Sequence, residues 1–469
     1  MTDVVIIGGG PGGYEAALVG RQLGGQVTLI ERAGMGGAAV LTDVVPSKTL
    51  IATAEVMSTL RGAHELGLCG ADGTDPFAAL SVDLARVNRR VLGLAEAQSA
   101  DIRRRLESEG IRIIAGTGRL QGTDAVVAMT PSGEERLPAD ITLVATGATP
   151  RELPSARTDG ERILNWTQLY NLRTLPERLI VVGSGVTGAE FASAYNALGV
   201  DVVLVSSRDQ VLPGQDAEAA RVLQDVFERS GVTILARSRA VAAARVGDAV
   251  EVTLADGRTV TGSHCLMAVG ATPNTAGIGL EKAGVQLTPS GHIKVDKVSR
   301  TTARGVYAAG DCTGVFALAS VAAMQGRIAL WHSLGDAVQP LDFRTISSNV
   351  FTAPEIATVG VSQEQVDAGL VRALSVMVPL RTNARAKMRG LTDGFVKIFC
   401  LPTTGIIVGG VVVAPDAGEL IHSLSLAVAR KLTVDELSQS FTVYPSLSGS
   451  IAEAARRLHG HSAEQVVSY

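Results

Sequence analysis

The first constraints on this 469-residue chain come from what it lacks. It has four cysteines, Cys69, Cys265, Cys312 and Cys400, with no CxxC pair and no metal-ligand spacing among them. That excludes a disulfide-stapled secreted scaffold, gives no reason to expect a metal site, and reads as reduced, buried thiols in a cytosolic protein. Basic residues are not in excess, with 42 Lys and Arg against 46 Asp and Glu, a formal net charge of −4. No broad positive surface is therefore available for nucleic acid or an acidic membrane. No apolar run reaches the roughly 18 residues that a membrane helix needs, so stable membrane insertion is not expected. The chain enters directly into a strand-like "DVVIIGGG" with no basic stretch before it, so no signal peptide is expected either, and the expected location is the cytoplasm. A chain that is 46% hydrophobic and 19% charged is globular, and at roughly 150 residues per domain its length predicts about three domains.

What is present is a repeated βα pattern. "VVIIGGGPGG" opens the chain and "LIVVGSGVTG" returns at Leu179 to Gly188, each an apolar run, a Gly-x-Gly-x-x-Gly turn, a helical stretch and a further strand ("QVTLIE", "DVVLVS"). Two such units predict two doubly wound, Rossmann-like parallel sheets, each with a nucleotide site. "DITLVATGATP" and "HCLMAVGATPN" share a layout of buried strand and Gly/Pro turn, and "GVYAAGDC" is a further short strand stopping at Gly-Asp. From about Thr345 the texture changes. Strand-like "GFVKIFC" and "IIVGGVVVA" precede helical "ELIHSLSLAVARKL" and "IAEAARRLH", predicting a separate α+β domain.

In the first unit Gly8 permits the tight turn, Gly10 lets backbone approach a pyrophosphate, and Gly13 allows close helix–strand packing. The helix N-terminus would face the phosphates, and Glu31, at the end of the next strand, can bind ribose hydroxyls. Gly183, Gly185 and Gly188 repeat the arrangement, but the acid does not recur: Ser206 stands in its place, with Ser207 and Arg208 next in the chain. A carboxylate there would repel a 2′-phosphate, whereas two hydroxyls and a guanidinium can accept one. NADPH is therefore expected to be the better donor, with NADH tolerated.

With these motifs in view the chain resembles the pyridine nucleotide–disulfide oxidoreductases of the dihydrolipoamide dehydrogenase and glutathione reductase type. "GGGPGG", "PSK", "ATGATP", "GSGVTGAEF", "GVYAAGD", "FTAPEIATVG" and "YPSLSGS" carry the resemblance over nearly the full length. It implies an α/β fold with FAD in the first domain, NAD(P)H in the second and a C-terminal α+β domain that forms a homodimer. The implied boundaries are 1–148 for the first part of the FAD domain, 149–271 for the NAD(P) domain, 272–344 for completion of the FAD domain, and 345–469 for dimerisation. It also implies cofactor contacts at Gly37, Thr146, Gly147, Gly270, Gly310 and Asp311, the last at the ribityl and pyrophosphate region of FAD. Lys48 of "PSK" and Glu190 of "GAEF" match an ion pair beside the flavin N5, where a cation would favour the anionic reduced flavin.

The departures from the family are equally informative. Its two redox cysteines correspond to Ala39 and Val44, and the partner subunit's His and Glu correspond to Tyr444 and Gly449. Thiol–disulfide exchange needs a thiolate, a leaving sulfur and a base, and methyl groups and a tyrosine supply none of these. Reduction of lipoamide or glutathione through a disulfide is excluded on that chemistry. The expected activity is an FAD-dependent NAD(P)H:quinone oxidoreductase, resembling the cysteine-less actinobacterial subset of the family. The quinone is expected in the vacated nicotinamide pocket, or else against Ala39 and Val44. Pyridine nucleotide transhydrogenation and a non-catalytic binding flavoprotein are the alternatives. "LRTNARAKM" (Leu380 to Met388) reads as structural or interfacial, and Met324, Gln325 and Gly326 as the start of a helix without chemistry.

Overall fold

The computed structural model describes residues 1–459 apart from 71, 72, 76, 78 and 79. Its first sheet has five parallel strands in the order Val306–Ala308, Ile141–Val144, Asp3–Ile7, Gln26–Glu31, Arg112–Ala115. The apolar "VVII" and "ITLV" runs are buried throughout, as a parallel sheet covered on both faces requires. Strand Val306–Ala308 lies far along the chain yet pairs with Ile141–Val144, so the chain returns to this sheet after building a second one. The next helix, Ala319–Ser333, packs on Pro11–Gln22 with almost no gap. A Cβ on Gly326 would lie 2.0 Å from the Gly12 carbonyl oxygen. This helix begins at Ala319, so Met324 to Gly326 sit in its interior and not at its start.

The second sheet is also parallel, in the order Thr233–Leu235, Asp201–Val205, Arg178–Val182, His264–Met267, Ile163–Leu164. The chain enters and leaves it through a two-stranded antiparallel ribbon, Ala148–Pro150 against Ala271–Pro273. The third sheet is antiparallel, in the order Ser347–Val350, Glu355–Gly360, Ile407–Ala414, Phe395–Cys400, Leu374–Pro379, with helices Ala417–Arg430 and Gly449–Leu458 packed against it.

One buried charge ties this third sheet to the second unit. Lys397 is buried in the middle of strand Phe395–Cys400, within 6 Å of the rings of Phe395 and Phe399 (5.8 and 5.7 Å). Its ammonium binds Asp216 Oδ2 at 2.8 Å and also Glu218. Asp216 is buried too, and its other oxygen accepts the first-turn amides of Glu218 and Ala219 at the start of helix Ala217–Arg229. Removing one member of such a pair strands the other charge in a low-dielectric interior. Lys397→Met is expected to cost about 3–5 kcal/mol, read as a lower urea midpoint. The double variant Lys397→Met/Asp216→Asn should recover part of that loss.

Candidate functional site

Both glycine turns are dictated by sterics. Gly8 has φ 107°, and a Cβ there would lie 2.2 Å from the Ala145 carbonyl oxygen; a Cβ on Gly13 would lie 1.8 Å from the Gly8 oxygen. At Gly10 nothing lies within 4 Å, which leaves open space at the start of helix Pro11–Gln22, whose first turn has no side-chain cap. Gly37, with φ 55°, closes over this turn, where a Cβ would come within 2.9 Å of the Gly10 Cα. Glu31 is held at the rim by the Gly9 and Ala33 amides, each donating to its carboxylate at 2.7 Å. An open cradle, uncapped helix amides and a fixed carboxylate are what an adenine dinucleotide needs, so these residues fit FAD.

The far end of the cradle is built from the later segments. Gly310, in the left-handed region, donates its N–H to Gln325 Oε1 at 2.9 Å, so the buried Gln325 holds the Gly-Asp turn. Burial raises the Asp311 carboxyl above its usual range, with His292 opposing the shift. Thr146 and Gly147 are bound to Asn274: the Thr146 hydroxyl donates to the Asn274 carbonyl at 2.7 Å, and the Asn274 amide N–H to the Gly147 carbonyl at 3.0 Å. Gly270 (φ 95°) lies just before the returning ribbon strand.

The second turn copies the first. A Cβ on Gly183 would lie 2.2 Å from the Ala268 oxygen, one on Gly188 would lie 1.8 Å from the Gly183 oxygen, and Gly185 faces open space. The loop after strand Asp201–Val205 differs from the sequence reading at one residue. Ser206 is fully buried, and its hydroxyl is bound to Ser184 Oγ at 2.7 Å and to the Arg208 main chain at 3.1 Å. That removes Ser206 as a direct phosphate contact. It shapes the loop that leaves Ser207 and Arg208 exposed.

Lys48 and Glu190 come together from helices Val44–Arg61 and Val186–Ala197, with Nζ 2.6 Å from Oε2. The Glu190 side chain is only 4% exposed and that of Lys48 is 26% exposed. The second Glu190 oxygen accepts the Phe351 amide at 2.9 Å, and the Phe351 ring lies 4.8 Å from the Lys48 ammonium. One ion pair thus joins the first unit, the second unit and the start of the third sheet.

Ala39 and Val44 are half-buried beside this pair's helix, and between them lies a group that the sequence reading missed. Asp43 occupies the N-cap of helix Val44–Arg61 but makes no capping hydrogen bond. Burial pushes its carboxyl up to about 6; Lys48 pulls it back, and Glu190 and Asp311 push it further up. Tyr170 faces the same cluster. It is buried, and desolvation together with Asp43 raises its pKa well above the usual phenol range, with Ser47 opposing the shift. An Asp before an apolar helix looks like a cap, so no sequence signal separated Asp43 from an ordinary one.

The four cysteines form no disulfide. Burial raises Cys265 to about 12 and both Cys312 and Cys400 to about 11, far from thiolate reactivity. Cys69 is exposed, against the expectation that all four are buried. A His–carboxylate contact, His459 Nδ1 to Asp435 at 2.6 Å, joins two exposed side chains at the C-terminal end of the described chain. Tyr444 is 86% exposed, beside the exposed Phe441 and Val443.

Two dinucleotide cradles in tandem, joined by a part-buried ion pair, define a two-nucleotide oxidoreductase. The sequence signature of the pyridine nucleotide-disulphide oxidoreductases matches residues 2–326, and that of their dimerisation domain matches residues 346–455. The chain belongs to this family, an oxidoreductase class that uses FAD and NAD(P)H. A Mycobacterium tuberculosis protein named NAD(P)H dehydrogenase (quinone) is 54% identical over 98% of this chain and 94% of its own length. The dihydrolipoyl dehydrogenase of Zymomonas mobilis is 32% identical over 98% of each chain. The crystal structure of LpdA from M. tuberculosis superposes with a TM-score of 0.93 at 54% identity, covering 98% of this chain and 100% of the other. No helix among the described residues is long and apolar enough to cross a membrane.

The raised carboxyl of Asp43 fixes the sign of a pH effect. Its folded pKa of about 6 lies above the ordinary 3.8, so between these values the folded chain holds a proton that the unfolded chain releases. Asp43 therefore destabilises the fold increasingly as pH rises through this window, and fully above it. Asp43→Asn is expected to raise stability by about 1–2 kcal/mol near pH 7.5 and to match the wild type near pH 4. Urea midpoints at the two pH values measure the difference, and an equal gain at both would contradict it.

Proposed function

We propose that this chain is an NAD(P)H:quinone oxidoreductase, taking electrons from NADPH, and less well from NADH, and passing them through FAD to a quinone without a redox disulfide. The observation that carries the reading is the intact Lys48–Glu190 pair beside Ala39 and Val44, where no thiol exists. Bound FAD would supply the hydride acceptor and donor that no side chain offers. Gly8, Gly10, Gly13 and Gly37 would hold its pyrophosphate, Glu31 its ribose, and Gly310 with Asp311 the far end of the chain, while Thr146 and Gly147 frame the same cradle. Gly183, Gly185 and Gly188 would hold the nicotinamide nucleotide, with Gly270 bordering it and Ser207 and Arg208 facing the 2′-phosphate.

Lys48 would place a cation where negative charge grows during reduction, and Glu190 keeps that cation in position. A quinone is flat and electron-poor, so it needs close approach and not a thiol relay. The pocket left by NADP⁺ is the favoured docking place. Ala39 and Val44 offer a second, apolar slot, which Tyr444 of the partner subunit would close in a homodimer. The relative named NAD(P)H dehydrogenase (quinone) supports the acceptor class. The absence of an acid at Ser206 weighs against transhydrogenation to NAD⁺.

The test is an anaerobic titration of the purified yellow protein with NADPH, and then with menadione. Full bleaching with two electrons per subunit, no long-wavelength thiolate charge-transfer band, and recovery of the oxidised spectrum on adding menadione are expected. A requirement for four electrons would reveal an active thiol pair and overturn the reading. Lys48→Met, with FAD content unchanged, should slow reduction by NADPH about 100-fold, read by stopped-flow absorbance.

A further inference from the structure

The loop after strand Thr233–Leu235 of the second sheet carries a cation that sequence comparison of the two glycine units does not reach. This strand runs parallel to Asp201–Val205, and the segments leaving both are joined by main-chain hydrogen bonds. The Ser206 N–H donates to the Leu235 carbonyl at 2.9 Å, the Arg237 N–H to the Arg208 carbonyl at 3.0 Å, and the Ser238 N–H to the Ser206 carbonyl at 2.7 Å. Arg208 and Arg237 therefore project from adjoining peptide units at the edge of the nucleotide cradle.

Arg237 has φ 51°, a left-handed conformation that ordinarily selects glycine or asparagine. The neighbour on its C-terminal side accounts for the turn. Ser238 is buried, and its hydroxyl donates to the Ala236 carbonyl at 3.1 Å and accepts from Arg258 at 2.9 Å, which fixes the chain on either side of Arg237. The guanidinium binds Asp209 at 2.5 Å, yet both side chains are largely exposed, so the pair is weakly held and exchangeable.

We infer that Arg237 is a second guanidinium of the 2′-phosphate site, with Asp209 holding it in the absence of ligand. This rests on the NADPH reading above and extends it from the loop after Asp201–Val205 to the loop after Thr233–Leu235. A phosphate monoester near neutral pH carries close to two negative charges and three acceptor oxygens, enough for two planar guanidinium forks. On binding, Arg237 leaves the single carboxylate of Asp209 for the phosphate, beside Arg208. Ser206, buried under both, offers no carboxylate to oppose that anion. Asp209 thus acts against NADP⁺ twice, by occupying Arg237 and by its own charge.

The experiment is calorimetric titration of the FAD-loaded protein with NADP⁺, NAD⁺, adenosine 2′,5′-bisphosphate and AMP, which needs no turnover. Arg237→Ala should weaken NADP⁺ and the bisphosphate about tenfold while leaving NAD⁺ and AMP within about twofold. Asp209→Asn should tighten NADP⁺, a gain that no folding defect imitates. If Arg208→Ala weakens NADP⁺ and Arg237→Ala does not, the inference falls while the NADPH reading stands. Equal weakening of NADP⁺ and NAD⁺ by Arg237→Ala would make it a loop-holding residue and also overturn the inference. If the wild type binds the bisphosphate no more tightly than AMP, the NADPH reading fails, and the role of Arg237 with it.

Discussion

The Lys48–Glu190 ion pair is the point at which elements of all three sheets' units meet. Burying a carboxylate is costly unless every lone pair is used, and Glu190 uses one oxygen for Lys48 and the other for the Phe351 amide. Each partner comes from a different unit, so the pair forms only when helices Val44–Arg61 and Val186–Ala197 and the segment at Phe351 are correctly placed together. Lys48 is the sole cation acting on Asp43 among its main electrostatic neighbours, while Glu190 and Asp311 both oppose the ionisation of that carboxyl. One ammonium does not offset the desolvation of a second carboxylate. That is why the carboxyl of Asp43 titrates near 6 in this fold while Glu190 is held within an ion pair.

The two glycine cradles are nearly the same object. Corresponding Cβ clashes, 2.2 and 1.8 Å in each, show that the same sterics fixed both turns. What distinguishes them lies one strand further on, where Glu31 in the first is replaced by a buried hydroxyl in the second. Glu31 is held by two amides and points its charge at the rim. Ser206 turns inward to Ser184, so the outward face of its loop belongs to Ser207 and Arg208. On the proposed reading, nucleotide choice in the second unit is set by the charges around Ser206 and not by Ser206 itself.

This contrast also shows how far the sequence could be read. The glycine turns were legible because their requirement is local: a backbone angle, a missing Cβ and a strand before a helix. The two parallel sheets and the antiparallel third were signalled by apolar runs and by the change of texture near Thr345. Lys48 and Glu190, 142 residues apart, were reached through resemblance, since spacing cannot bring them together. Asp43, Tyr170 and Lys397 were not legible at all. Their significance comes from burial and from partners on other elements, and each sits in a stretch whose pattern suggests something ordinary, a cap, a core aromatic or an alternating strand. Ser206 was misjudged for the same reason, because its exposure is set by Ser184 and by strand Thr233–Leu235, neither of which its own neighbours reveal.

The absent disulfide can then be understood as a local change within the family's frame. Ala39 and Val44 lie half-buried, and the helix carrying Lys48 begins at Val44 with no disulfide bridge. The remaining thiols offer no substitute, since three are buried with pKa values near 11 or 12 and the fourth stands alone on the surface. A disulfide relay serves to move electrons from a buried ring to a thiol substrate that cannot reach it. On the proposed reading, a site without the relay serves only an acceptor able to enter it, and this favours a thin, planar, apolar molecule over a tethered thiol. On this reading the change from cysteine to alanine and valine alters the class of acceptor while leaving the nucleotide side of the enzyme untouched.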